Sequence, residues 1–177
     1  MSFGSVAEAY DRVRPPYFQP LLDRAQEVLE LGPEARVLDL AAGSGRLTRA
    51  LVARFATVLA VEPDGDMRGL LGVGTVLPGT AERIPLANAS LDAVFVGEAF
   101  HWFEAARAIA EIARVLRPRG ELAIISTHWW ETHPPLPESA DRLLHEPHKA
   151  LFTNVRPYLA GPYVLPIKHE LCWTRLG

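Results

Sequence analysis

One nine-residue run, Val37-Leu-Asp-Leu-Ala-Ala-Gly-Ser-Gly45, constrains this chain more than any other segment. Residues 36–41 are almost continuously apolar, as expected of a strand covered on both faces. The glycine pair follows at once, and then Leu47, Leu51 and Phe55 recur at the spacing of a helical stripe. A buried strand that turns this tightly into a helix is a βα junction, and it needs parallel neighbours to bury it.

The rest of the first 130 residues supplies them. Leu21, Leu22, Ala25, Val28 and Leu29 form one helical stripe, ended by Gly32-Pro33. Residues 58–61, 75–77, 91–96 and 122–125 read as further strands, with a short helix over 64–71 and a longer one over 102–116. On that longer helix Ala105, Ile109, Ile112 and Leu116 are expected to face the core. Glu104, Arg107, Glu111 and Arg114 are expected on a solvated face. Arg117-Pro118 stops the helix and Gly120 turns the chain. Strands separated by helices imply right-handed βαβ units, hence an α/β, Rossmann-like, doubly wound and mostly parallel sheet. Beyond about residue 127 prolines and histidines crowd in. A helix over 141–152, interrupted by Pro147, and a strand over 164–173 are the elements expected there. The domain boundary falls near residue 130.

Composition narrows the function classes. A net charge of −3 leaves no global basic field for nucleic acid, and sixteen arginines against two lysines (Lys149 and Lys168) are scattered rather than patched. The single cysteine, Cys172, excludes an internal disulfide and points to a reducing compartment. The first residues carry no secretory signal, and no apolar run approaches the ~18 residues that span a membrane. A cytoplasmic protein without membrane contact is expected.

The glycine-rich turn carries the chemistry. Gly43 and Gly45 permit tight turning and close approach of a ligand to backbone. Asp39 ends the strand just ahead of them, where a phosphate would be repelled. Thr48 stands where a dinucleotide fingerprint has its third glycine. Both features argue against an NAD(P)-dependent oxidoreductase and for a ligand with a cationic part. Glu62 ends the second strand, where an acid accepts bonds from ribose hydroxyls or serves as a strand-end cap.

In order, the run 37–45, then Val61-Glu-Pro-Asp64 with Met67, then Gly79-Thr-Ala-Glu-Arg-Ile-Pro-Leu86, Ser90-Leu-Asp-Ala-Val94 and Glu111-Ile-Ala-Arg-Val-Leu-Arg-Pro-Arg-Gly120 resemble the class I S-adenosylmethionine-dependent methyltransferases of the type 11 group. The resemblance covers roughly residues 3–127. It implies an S-adenosylmethionine-binding domain over 1–130 and a Pro-rich appendage over 131–177, the truncated end of the same domain. It also implies roles by position. Asp39 lies by the methionine end of the cofactor, and Gly43 and Gly45 let the loop pass under it. Glu62 holds the ribose hydroxyls, Pro63 and Met67 pack near adenine, and Ala81 and Glu82 line its edge. Residues 97–100, with Gly97 and Phe100 at the ends, border the transfer site. Tyr10 and Arg14 resemble an N-terminal lid, with Arg14 on the cofactor carboxylate. Two positions depart from the family pattern: Ala41 replaces the first glycine, and Thr80 replaces an acid.

The implied function is methyl transfer to a small-molecule acceptor by direct displacement. The alternative is a non-catalytic cofactor-binding or partner subunit of the same fold. His101, in Phe100-His-Trp-Phe103, is the candidate base, because its titration range suits neutral pH. It could instead cap the next helix or pack beside Trp102. His145 and His148 stand three apart, with His128 and His133 upstream, but Pro147 between the pair spoils a helical metal face, so loop histidines and no metal are expected. Trp129-Trp130 reads as packing rather than as a stacking platform. Finally, the segment 163–173 resembles the family's sixth strand, and no sequence remains for the seventh. The fifth strand is therefore expected to keep an open edge, inviting homo-oligomers, unless the tail or another subunit covers it.

Overall fold

The computed structural model describes residues 19–128 and 168–175. Helix α1 (Gln19–Val28) leads into strand β1 (Arg36–Leu40) and helix α2 (Arg46–Val52). Strand β2 (Thr57–Val61), helix α3 (Gly65–Leu71) and strand β3 (Thr75–Leu77) follow. Strand β4 (Leu91–Gly97), a 3₁₀ turn (Phe100–Trp102), helix α4 (Ala105–Val115), strand β5 (Leu116–His128) and strand β6 (Lys168–Arg175) complete the described elements. The sheet order is β3-β2-β1-β4-β5-β6. Strands β1 to β5 are parallel and β6 is antiparallel to β5. This is the doubly wound α/β sheet that the alternating pattern predicts.

Side-chain alternation along the strands builds two cores. Val37, Val58, Ala93, Phe95, Ala123 and Ile125 pack with Leu21, Leu22, Ala25, Leu47, Leu51 and Phe55 from α1, α2 and the turn after α2. The intervening residues Leu38, Leu40, Leu59, Val61, Val94, Val96 and Leu122 pack with Ala108, Ile112 and Val115 of α4. Period-two strands thus have both faces covered, which explains their near-continuous apolar sequences.

Several details differ from the expectations. Residues 100–102 form a 3₁₀ turn, and α4 starts at Ala105. Its inward face is Ala108, Ile112 and Val115, whereas Ala105 is exposed and Ile109 is 36% exposed. Residues 108, 112 and 115 recur at the three-to-four spacing that keeps one face of a helix on the sheet. Glu111 and Arg114 are not simply solvated. Arg114 Nε and Nη2 donate to the two Glu111 oxygens at 2.7 and 2.8 Å, and its Nη1 and Nη2 reach the Leu86 and Ile84 carbonyls, each at 2.8 Å. Glu111 in turn accepts from Ile84 N at 2.8 Å, so this pair fastens the loop before β4 to α4.

Strand β5 begins as soon as α4 ends. Leu91 pairs with Leu116 and Ala93 with Glu121, so four residues of β5 bulge opposite Asp92 alone. A Cβ on Gly120 would sit 2.8 Å from the Arg117 carbonyl oxygen, which is why glycine stands at this turn. The far edge of β5 is covered, and by the tail. Residues 121–128 pair one for one with 175–168, from Glu121↔Arg175 to His128↔Lys168. The segment resembling a sixth strand therefore lies directly against β5, and the expected open edge there is closed. Residues 164–167 of that predicted strand, the helix over 141–152, the boundary near 130, and Tyr10, Arg14, His133, His145, His148, Trp129 and Trp130 lie outside the described residues.

Candidate cofactor site

Adjacent strands bring the predicted acids and glycines to one edge. Asp39 pairs in register with Ala60 of β2 and Phe95 of β4, so the carboxyl ends of β2, β1 and β4 lie side by side. Glu62 follows β2 immediately, and Gly97 ends β4 opposite Ile125. Ligands bind at this edge in open α/β sheets.

Glu62 is buried, at 6% exposure, yet each of its oxygens has a donor. Gly43 N donates to Oε2 at 2.8 Å and Asp64 N donates to Oε1 at 2.9 Å. Ala42 N adds a bond to the Val61 carbonyl at 3.1 Å. The carboxylate therefore clamps the β1–α2 loop to the β2–α3 turn, and each oxygen keeps a further lone pair for a ligand hydroxyl. Asp64 caps α3 by accepting from Asp66 N and Met67 N. Pro63 is exposed and Met67 half-buried beside it.

The two glycines differ in purpose. Both have positive φ, 57° at Gly43 and 84° at Gly45. A Cβ on Gly43 would meet nothing within 4 Å, so the loop faces open space there. A Cβ on Gly45 would meet Leu71 side-chain atoms at 3.0 Å and its Cα at 3.1 Å. Gly45 thus lets α3 pack against the loop. Ala41, standing in for the family's first glycine, also has positive φ, 59°. Its methyl is accommodated, at the steric cost a left-handed alanine carries.

Asp39 is 1% exposed, on the sheet face that carries α2. Thr48 Oγ1 donates to Asp39 Oδ2 at 2.6 Å. Burial pushes the carboxyl up to about 7, against the Thr48 hydrogen bonds that lower it; the Glu62 charge raises it further. Sequence reasoning treated Thr48 only as an absent glycine. Its hydroxyl, one turn into α2, is the partner that a buried acid requires.

Ala81 is buried and half-buried Glu82 points elsewhere: its Oε1 accepts from Glu104 N at 3.0 Å. The Phe100 and Phe103 rings meet at a tilt of 59°, with centroids 5.5 Å apart. The ring of exposed His101 lies 4.9 Å from that of Trp102, which is 76% exposed. His101 is not the α4 cap, since Glu104 holds that position. Arg68 at this edge escaped sequence reasoning, and Glu98 and Trp102 gain features that the sequence did not show. Arg68 Nη1 grips the Glu62 and Pro63 carbonyls at 2.8 and 2.7 Å. Glu98 has a φ of 60°, an unusual value for a non-glycine next to a site. Trp102 is a large aromatic left facing solvent, a feature that only burial could show. Among the described residues no group of three or more His, Cys, Asp or Glu side chains could hold a metal ion, and no helix is long and apolar enough to cross a membrane.

Comparison with known proteins agrees with this geometry. A family model described as a methyltransferase domain, of type 11, matches residues 38–124. An uncharacterised methyltransferase of Mycobacterium tuberculosis is 47% identical over 138 residues, covering 75% of this chain and 53% of that protein. A malonyl-[acyl-carrier protein] O-methyltransferase of Methylococcus capsulatus is 42% identical over 135 residues, covering 70% of this chain and 49% of that protein. The chain thus spans about half the length of these curated relatives. The structure of an S-adenosylmethionine-dependent methyltransferase from Thermotoga maritima superposes with a TM-score of 0.55 at 28% identity, covering 70% of this chain and 59% of that one. The matched segment runs from Leu38 through the Gly-rich loop and Glu62 to Ile124, the strands and turns that build the edge just described, and this segment belongs to the type 11 methyltransferase domain family.

Proposed function

We propose that this edge binds S-adenosylmethionine and that the chain transfers its methyl group to a small-molecule acceptor. The observation that carries the proposal is the Glu62 clamp. A buried carboxylate at the end of β2 is oriented by Gly43 N and Asp64 N, beside a loop whose Gly43 faces open space. These residues fit the cofactor: Glu62 for the ribose hydroxyls, Pro63, Met67 and Ala81 for the adenine, and Asp39 near the cationic methionine end. When bound, the sulfonium supplies an activated methyl group. The chain's own task is alignment at near-attack distance. The bound cofactor would supply the methyl group and keep the carbon–sulfur electrons on its sulfur, and an acceptor carrying a proton on its attacking atom would have to give that proton up. His101, which lies beside the exposed Trp102, is the residue we assign to take that proton.

A small acceptor fits the acidic balance, with a net charge of −3 and no basic patch for nucleic acid. Malonyl groups, which the Methylococcus capsulatus relative's name specifies, make carboxylic acids the first acceptor class to screen. The test is calorimetric titration with S-adenosylhomocysteine, followed by radiolabelled methyl transfer to a panel of acids, amines and phenols. Glu62→Ala should weaken binding by about 1.5–3 kcal/mol per charge-assisted bond lost. Glu62→Gln keeps the shape and separates that loss from unfolding. Unchanged affinity in both Asp39→Ala and Glu62→Ala would remove the assignment. Binding without transfer to any acceptor would favour the non-catalytic alternative.

A further inference from the structure

We propose that Glu82 is a positioning residue, holding the start of α4 so that the turn carrying His101 and Trp102 is fixed relative to the cofactor's adenine edge. The proposal rests on the methyltransferase function above. It starts from a contact that spans 22 residues of sequence, Glu104 N donating to Glu82 Oε1 at 3.0 Å. Glu104 is the first cap of α4 and makes no side-chain capping bond of its own. A helix start leaves its N–H groups short of partners and favours negative charge nearby. Glu82 supplies both from another segment.

The segment that carries Glu82 is held firmly. Thr80 bridges to Arg83, with Arg83 N donating to the Thr80 carbonyl at 3.2 Å. Ala81 is 4% exposed within the α4 core. A Cβ on Gly79 would sit 2.7 Å from Pro85 Cδ, and Glu111 and Arg114 grip Ile84 from α4. Glu82 is thus a rigid arm next to the residue expected against adenine. At its other end the turn is short: Trp102 N donates to the Ala99 carbonyl at 2.9 Å and Phe103 N to the Phe100 carbonyl at 3.2 Å. Fixing Glu104 N therefore fixes the direction in which residues 101 and 102 leave the turn. Partial burial works against ionisation of Glu82, yet the Glu104 and Glu82 N–H groups, the Thr80 side chain and nearby Arg107 hold its carboxyl below the ordinary range. The capping group is the charged form, the one that best suits a helix start.

Hydrogen–deuterium exchange on the full chain tests this, with and without saturating S-adenosylhomocysteine. In the wild type the ligand should slow exchange over both 40–48 and 100–107. Glu82→Ala should keep ligand protection over 40–48 and lose it over 100–107, with exchange of the Glu104 amide about tenfold faster, the size set by one charge-assisted bond. Glu82→Gln, whose amide oxygen still accepts from Glu104 N, should restore the wild-type pattern. If Glu82→Ala does not fold, Glu82→Asp, one methylene shorter, gives the same comparison. Ligand protection over 100–107 that persists in Glu82→Ala, or that is absent in the wild type while 40–48 is protected, overturns the proposal. Absence of ligand protection anywhere in the wild type overturns the cofactor assignment instead.

Discussion

Thr48 Oγ1 lies 2.6 Å from Asp39 Oδ2, and both residues are buried where α2 leaves the glycine-rich loop. The position that a dinucleotide fold gives to glycine here provides the hydroxyl that makes a buried acid tolerable. Thr48→Val keeps the shape and removes the donor. It should cost about 1–3 kcal/mol, the range for stranding a buried polar group. The cost should be larger at pH 8 than at pH 6, because the charged carboxylate needs the donor more. Urea unfolding at both pH values measures it.

Asp39 and Glu111 should tilt the stability profile in opposite directions. Burial raises Asp39 from 3.8 to about 7, so between those values the unfolded chain has released a proton that the folded chain retains. Its contribution is therefore greatest below pH 3.8, falls as pH rises towards 7 and levels off above. The Arg114 hydrogen bond holds Glu111 at about 2 against an ordinary 4.5, so its contribution is present above 4.5 and is lost as pH falls through 2. Asp39→Asn should flatten the neutral slope, and Glu111→Gln should flatten the acid one. Thermal unfolding from pH 3 to 8 reads both.

Ligand binding should release a proton near neutral pH. A cationic group beside Asp39 favours its charged form, which is only partly populated near pH 7 in the free protein. Titration with S-adenosylhomocysteine in phosphate and in Tris, whose ionisation heats differ, should show net proton release at pH 6.5. Asp39→Asn should abolish the difference between the two buffers. Equal heats in wild-type protein would place the ligand's cation away from Asp39.

The parallel sheet and its order of helices were legible because apolar runs and helical stripes alternate from Leu21 to Ile125, each with its own turn signal. Asp39, Gly43 and Glu62 were legible as a set because their spacing puts them at the ends of adjacent strands. What was not legible came from contacts across sequence. Arg114 and Glu111 look like an ordinary exposed helix pair until Ile84 and Leu86 arrive beside them. Glu82 reads as an adenine-edge residue, and its bond to Glu104 depends on where α4 begins. The pairing of β6 with β5 could not be read from residues 168–175, since nothing in an eight-residue strand names its neighbour.

Left-handed backbone at non-glycine positions predicts where stability can be gained. Ala41 and Arg119 have φ of 59° and 67°, a region that costs an L residue about 1–2 kcal/mol. Glycine relieves that strain but adds about 0.4–1 kcal/mol of unfolded-chain entropy. Ala41→Gly and Arg119→Gly should each therefore stabilise by up to about 1 kcal/mol, seen as a higher urea midpoint at constant slope. Ala41→Gly should also leave affinity for S-adenosylhomocysteine intact, because the backbone already has the glycine-like conformation. A lowered midpoint would mean that the alanine methyl makes packing contacts worth more than the strain.

The pairing of β6 with β5 predicts how the protein associates. Strand β5 carries Leu122, Ala123 and Ile125 in the core and would present an apolar, unpaired edge if β6 left it. Such an edge is a template for pairing with another copy. In an antiparallel ladder the N–H groups of successive residues point to opposite sides. Of Leu171→Pro and Cys172→Pro, one must therefore delete a bond to β5, opposite Ile125 or Ile124, while the other deletes an outward N–H. The inward variant should lose β6 pairing and show a mass that rises with concentration in light scattering. The outward variant should stay closer to wild type, although proline also restricts its backbone. Slow exchange of the Ile124 amide in wild type, lost in the inward variant, identifies which is which, since Ile125 faces β4, where its carbonyl accepts from Glu98 N. If both variants keep the wild-type mass and the wild-type protection of β5, then β6 does not guard this edge, and some other part of the chain must cover it.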